Sequence, residues 1–309
     1  MMRDRHVVDT SHLSAGLCAL DRHDAAGRSC FCRCYPPLWL IEVDAMRTLS
    51  RRELVTTGAA LTVAAAAPTG SRAAAAKRQR QLFALDAITI PILGDERSFP
   101  VRRIYCVGRN YAAHAIERGS DPTREAPFFF QKPTDAVQNV PLDGIADHPY
   151  PSMTKDYQHE VELVAALHSG GADVRVEDAL SHVHGYALGL DMTRRDLQNA
   201  MAMEKRPWEI GKSFDHSAVL GPIHPAARVG HLQRGRISLA VNGKIRQDSD
   251  LSKMIWNVAE QISQLSKAFE LKAGDIIYSG TPENVGAVVK GDVLLCKIDG
   301  LNDMSIRIV

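Results

Sequence analysis

The chain has 309 residues, 45% of them apolar and 24% charged, with 37 basic against 36 acidic side chains. This is the composition of a globular protein and excludes a collagen-like or disordered chain. The net charge of +1 supplies no field that would draw nucleic acid or anionic lipid. The average conceals two unlike parts, because none of the lysines precedes Lys77.

Residues 1–45 show no hydrophobic periodicity and hold Cys18, Cys30, Cys32 and Cys34. The Cys-x-Cys-x-Cys run lacks the paired spacing of a structural zinc site. From Met46 the pattern changes. Arg51-Arg52 and Leu54-Val55 precede an uncharged stretch to Ala67, and an Ala-rich end closes at Ala76. A charged start, a short apolar middle and small residues at the end make the layout of a secretory signal, here of twin-arginine type. The middle is too short to span a bilayer. The alternative is an Ala-rich arm without a fold. The expected organisation is therefore an unstructured extension (1–45) ahead of a start at Met46, a signal segment (46–76) and one catalytic domain (77–309). The protein is periplasmic if the signal is used and cytoplasmic otherwise.

Beyond Leu82, short apolar runs alternate with Gly, Pro, Asn and Asp, which points to an α+β fold with β dominant. In chain order, strands are expected at Ile104–Val107, Phe128–Gln131, His159–Leu167, Tyr186–Leu190, Ile237–Val241, Ile276–Ser279 and Val293–Ile298. Asn242-Gly243 marks a two-residue hairpin. Helices are expected at Tyr111–Arg118, Val176–His182, Arg194–Met203 and Val258–Phe269. Only Cys106 and Cys296 lie in this part, too few for a disulfide framework.

The chain carries no phosphate loop, dinucleotide fingerprint, G-x-S-x-G or H-E-x-x-H. Three other features are informative. His114 and Glu117, at i and i+3 on a short helix, share a face, and a carboxylate on one imidazole nitrogen makes the other a better base. A surface His–Glu pair is the plainer reading. Strand period two places Glu160 and Glu162 on one face, opposite Val161 and Leu163. On an exposed edge that means nothing; in a cleft, paired carboxylates need a cation between them. Asp191 ends the apolar run Gly185–Leu190, where an acid can point into a site. Three carboxylates form an oxygen set suited to Mg²⁺ or Mn²⁺, with Ca²⁺ a poorer fit. His182-x-His184 reads as strand-face histidines.

Taken in order, Gly108-Arg109-Asn110-Tyr111-Ala112-Ala113-His114, Phe130-Gln131-Lys132-Pro133, Glu160-Val161-Glu162-Leu163, Asp191–Gln198, Gly211–Asp215 and Ser279-Gly280-Thr281-Pro282 resemble the fumarylacetoacetate hydrolase family over roughly 103–309. Within it, the likeness is greatest to the bacterial fumarylpyruvate hydrolases. The resemblance implies a mixed β-sandwich roll, a homodimer and one divalent cation held by Glu160, Glu162 and Asp191. It makes His114 and Glu117 a water-activating dyad and Lys212 the cation beside the metal. Arg109, Tyr111, Lys132, Gln198 and Thr281 become substrate contacts. It assigns nothing to Gln138, Gln158, Asp215 or His216. The implied reaction is hydrolysis of a carbon–carbon bond in a 2,4-dioxo acid, an acylpyruvate such as fumarylpyruvate, to pyruvate and a carboxylic acid. Rival readings are a metal-dependent decarboxylase or lyase of oxaloacetate type and a non-catalytic 2-oxo-acid binding protein.

Overall fold

The computed structural model describes residues 82–309, apart from residue 120 and residues 122–124. The extension, its four cysteines and the signal segment lie outside the described residues.

The strand Val161–Leu167 organises the fold. All seven of its residues are buried, as in a strand covered on both faces. Leu163, Ala165 and Leu167 face one apolar cluster, while Val164 and Ala166 face a second. This strand lies inside a large mixed sheet. Across that sheet the order is Phe128–Lys132, Arg103–Gly108, Asp275–Tyr278, Val161–Leu167, Val183–Asp191, Ala218–Leu220 and Val137–Asn139.

The first cluster fills the space between this sheet and a second one of five strands, which supplies Leu239, Leu294, Cys296 and Ile306. The helix Val258–Ala268 adds Val258, Ile262 and Leu265 to the same cluster. That helix starts at a capping box, Asn257 with Glu260, which satisfies backbone donors that helix geometry leaves unpaired. On the opposite face of the large sheet the short pair Thr89–Pro91 and Ser98–Pro100 contributes Ile90 and Phe99. The β-dominated α+β class and the mixed two-sheet architecture follow the sequence reading. Cys106 and Cys296 are buried and free. Among the described residues no helix is long and apolar enough to cross a membrane.

Most expected elements form within a residue or two of their sequence bounds, and two details differ. The run expected as one strand, His159–Leu167, is two: Tyr157–His159 pairs with Thr193–Arg194 in a small sheet, and Val161–Leu167 enters the large one. Glu160 sits at the break. The expected helix Val176–His182 tightens into a 3₁₀ turn over Leu180–His182. Asn242-Gly243 makes the hairpin, with Val241 opposite Lys244.

Val183–Asp191 lies antiparallel to Val161–Leu167, with Gly189 opposite Glu162. A Cβ built on Gly189 would come within 2.6 Å of Val164 Cγ2 and 2.8 Å of the Tyr278 ring. Gly189→Ala should therefore cost about 1–3 kcal/mol through overpacking, read as a lowered Tm, with the strand end at Asp191 displaced.

Candidate active site

The pairing just described gathers the acids. Glu162 stands opposite Gly189, and the Asp191 amide donates to the Glu160 carbonyl at 2.9 Å. Period two sends Glu162 and Asp191 to the same face of the sheet as Val164 and Ala187, and Glu160, at the break between the two strands, joins them. All three carboxylates are buried, with ligand oxygens within 4.8 Å of one another.

Three cations surround them. Lys212, buried at the end of the short helix Glu209–Lys212, places Nζ 2.7 Å from Glu160 Oε2, Asp191 Oδ2 and Thr193 Oγ1. Arg195 donates to the other oxygen of Glu160. Lys132 lies behind Asp191, its Nζ 2.8 Å from Oδ1. Burial raises the Glu160 carboxyl, but Lys212 and Arg195 overcome that and hold it well below the carboxylate range. Burial likewise works against the Lys212 ammonium, and Asp191 and Glu160 more than restore it.

Glu162 is treated differently. Its bond is to the Gly280 amide at 2.7 Å, and it has no ion pair among the described residues. Burial, with Asp191 and Glu160 beside it, pushes its carboxyl well above the usual value. Asp191 Oδ1 also makes no hydrogen bond despite its nearness to Lys132. A buried acid without a counter-ion, beside carboxylate oxygens with spare lone pairs, fits a hard divalent cation. Gly280 can present its amide to Glu162 because it takes a φ of 97°, where a Cβ would strike Asn110 Cβ at 2.6 Å.

The triad opens on a cavity. Its walls include Arg109, His114, Arg118, Phe130, Gln198, Asn199, Trp208 and Thr281. His114 comes from the helix Ala112–Glu117. Its Nδ1 lies 3.0 Å from Glu117 Oε2, and the Asn284 amide holds that carboxylate at 3.2 Å. An ionised carboxylate only accepts, so Nδ1 carries the proton and Nε2 has the free lone pair. Burial pushes the imidazole below its ordinary value, against the opposing pull of Glu160 and Glu117. Arg109 has a φ of 55° on the cavity wall, a conformation seldom adopted outside glycine and common at functional sites.

Comparison with known proteins agrees with this geometry. Residues 103–309 match the family described as fumarylacetoacetate (FAA) hydrolase C-terminal. The chain belongs to the fumarylacetoacetate hydrolase family. A Ralstonia fumarylpyruvate hydrolase is 40% identical over 191 residues, covering 62% of this chain and 97% of the relative. The mitochondrial oxaloacetate decarboxylase of Dictyostelium discoideum is 37% identical, covering 67% of this chain and 94% of the relative. Among solved structures, fumarylpyruvate hydrolase from Pseudomonas aeruginosa in complex with Mn²⁺ and pyruvate superposes with a TM-score of 0.73 at 55% identity, covering 74% of this chain and 99% of that one.

Within this family member, the structure places Arg109, His114, Glu160, Glu162, Asp191, Gln198, Lys212 and Thr281 on one cavity, with Glu117 behind His114. It does not bring Tyr111 or Lys132 to the wall. Tyr111 packs in the apolar core, since it caps the His114 helix on the inner side. Lys132 is fully buried against Asp191 and the carbonyls of Lys212 and Met192. Lys132 therefore braces Asp191 from behind, and the buried Tyr111 hydroxyl is left without a hydrogen bond. The contacts also limit the others. Lys212 spends its three protons on protein oxygens, so its charge rather than its protons reaches the cavity. Gln198 Oε1 accepts from Arg195, which turns its NH₂ outward. The Thr281 hydroxyl donates to the Val161 carbonyl at 2.9 Å and accepts from Gln247 at 2.9 Å, so its proton is already used.

Three site residues escaped the sequence reading. Arg195 lies within a quoted motif yet bridges Glu160, Gln158 and Gln198, which also gives Gln158 a place. Arg118 follows Glu117 and reaches Asn199 at 2.6 Å. Gln247, fully buried on the strand Lys244–Asp250, accepts from the Val161 amide at 3.2 Å and contacts His159 Nδ1 at 2.9 Å. No local pattern distinguishes a glutamine whose partners lie more than thirty residues away. Gln247→Ala should lower the unfolding free energy by about 1–3 kcal/mol, because it orphans the buried Val161 amide and the Pro282 carbonyl; urea denaturation measures the loss.

Proposed function

We propose that the protein is a divalent-metal-dependent hydrolase that cleaves the carbon–carbon bond of an acylpyruvate, with fumarylpyruvate the foremost substrate. One observation carries this: a His–carboxylate dyad with an unprotonated ring nitrogen opens on the same cavity as three buried carboxylates suited to a cation. Glu160, Glu162 and Asp191 would hold Mg²⁺ or Mn²⁺. The ion would polarise the 2-oxo group and take up negative charge that develops during cleavage.

The residues of the chain do the remaining work. His114 Nε2 takes a proton from water as the water attacks the 4-carbonyl carbon, and Glu117 holds the imidazole and favours its charged form. The bond between C3 and C4 then breaks, leaving a carboxylic acid and the enolate of pyruvate, which takes up at C3 the proton that His114 removed from water. Lys212 lends positive charge near the forming enolate, and the outward NH₂ of Gln198 can bind an oxo or carboxylate oxygen. Arg109 supplies a further cation at the wall.

A second reading, decarboxylation or another lyase reaction of a 2-oxo acid, draws support from the Dictyostelium relative. It would use the same carboxylates but needs no attacking water, and the dyad favours hydrolysis. Release of fumarate from fumarylpyruvate, set against CO₂ from oxaloacetate at equal Mn²⁺, separates the two.

Export by a twin-arginine route and assembly as a homodimer belong to the same proposal, the first on the strength of Arg51-Arg52 and the uncharged run after them. Cell fractionation of an Arg51→Lys, Arg52→Lys variant tests export, and sedimentation tests assembly.

His114→Ala should lower kcat about 10²–10⁴-fold while Mn²⁺ binding by calorimetry is retained. Asp191→Asn should weaken Mn²⁺ binding at least tenfold and abolish turnover. In the parent enzyme the acid limb of kcat/KM should fall below pH 6.5, since only the neutral imidazole is active and burial depresses it. Glu117→Gln should move that limb further toward acid, because it removes a carboxylate that favours the protonated ring.

A further inference from the structure

The helix Arg195–Met203 presents Arg195, Gln198, Asn199 and Ala202 to the cavity, a spacing of i, i+3, i+4 and i+7 that defines one face. Arg195 touches the metal-side carboxylate Glu160. Asn199 lies one turn further along, about 6 Å by helical rise. There Arg118 crosses from the other wall and donates through Nη2 to Asn199 Oδ1 at 2.6 Å.

That is the one hydrogen bond of the Arg118 guanidinium among the described residues, and no carboxylate lies within ion-pair distance of it there. An arginine only donates, so Asn199 must offer its oxygen, which leaves its NH₂ unpartnered and facing the cavity. Gln198 is oriented the same way by Arg195. Among the described residues, this end of the cavity therefore offers N–H donors from Asn199 and Gln198. Burial and then Arg195 and Arg109 disfavour the charged form of Arg118, while Glu160 and Glu117 work the other way. Between the two ends lie the rings of Phe130 and Trp208, 6.0 Å apart in a tilted edge contact, a surface suited to a flat, conjugated carbon chain.

We propose that Arg118, with Asn199, binds a terminal carboxylate on the acyl group, and so selects acylpyruvates whose acyl part is a four-carbon unsaturated diacid over those with a neutral acyl group. This rests on the acylpyruvate hydrolase reading and deepens it. Arg118 can pair two N–H groups with a carboxylate, and Asn199 both orients it and adds a donor. In oxaloacetate the second carboxylate sits one carbon from the oxo group, too short to reach Arg118 from the metal end.

The test compares fumarylpyruvate with acetylpyruvate on the full-length, Mn²⁺-loaded protein. Arg118→Ala should lower the ratio of the two kcat/KM values about 10–100-fold, the range for one charge-assisted contact, and Arg118→Lys should restore part of it. Calorimetry adds a reading free of turnover: the same variant should lose the preference for fumarate over crotonate, in which a methyl group replaces one carboxylate. A ratio within twofold of the parent, with fumarylpyruvate still cleaved, overturns the anion subsite alone. A parent enzyme that cleaves neither acylpyruvate but shows the Arg118-dependent preference for fumarate overturns the hydrolase reading and leaves the subsite standing.

Discussion

Burying three carboxylates at one sheet end is the constraint around which this molecule is arranged. Each ion carries a large desolvation cost unless it is paired and hydrogen-bonded. Lys212 and Arg195 satisfy Glu160, Lys212 and Lys132 flank Asp191, and Glu162 keeps only the Gly280 amide. The compensation is uneven. Glu160 is held ionised by two cations, Asp191 lies between two lysines, and Glu162 is left as the place where a further cation would gain most. Lys132 and Lys212, buried lysines with no exposed function, exist on these terms.

The sheet makes the cluster possible. The strand Val161–Leu167 is apolar on both faces except at Glu162, and Val183–Asp191 is apolar from Gly185 until its last residue. Antiparallel pairing places Glu162 and Asp191 at the same end, with Gly189 opposite Glu162. The break at Glu160 lets the chain leave the large sheet and begin the small one, so that Arg195, which follows the small sheet's strand Thr193–Arg194, reaches back to Glu160. Gln247 braces the same junction from the second sheet. The acids thus rest on rigid strands, while His114 and Arg118 belong to a short helix and its end, whose positions depend on contacts with Glu117, Asn284 and Asn199.

Several site residues were readable from local pattern alone. The pair Glu160 and Glu162 follows from strand period, the pair His114 and Glu117 from helix period, and Asp191 from its place at the end of an apolar run. Each pattern alone also fits an ordinary surface or core role, and the family motifs favour the functional one. Tyr111 and Lys132 stand in those motifs yet face the core and the back of Asp191. Motif membership marks a residue as part of the machinery without saying which side of it the residue is on. Arg118, Gln158 and Gln247 were not legible, since a polar residue becomes informative only through distant partners.

By itself the sequence determined the class of fold, the order of its main strands and helices, and the chemical types available to a site. It did so because apolar period, turn residues and motif spacing are short-range properties. Which acids meet, which cations compensate them and which side chains keep a free donor or lone pair were decided by tertiary structure. Strand register sets those meetings across a hundred residues, and a hydrogen bond between Arg118 and Asn199 is a fact about two elements that share no local signal.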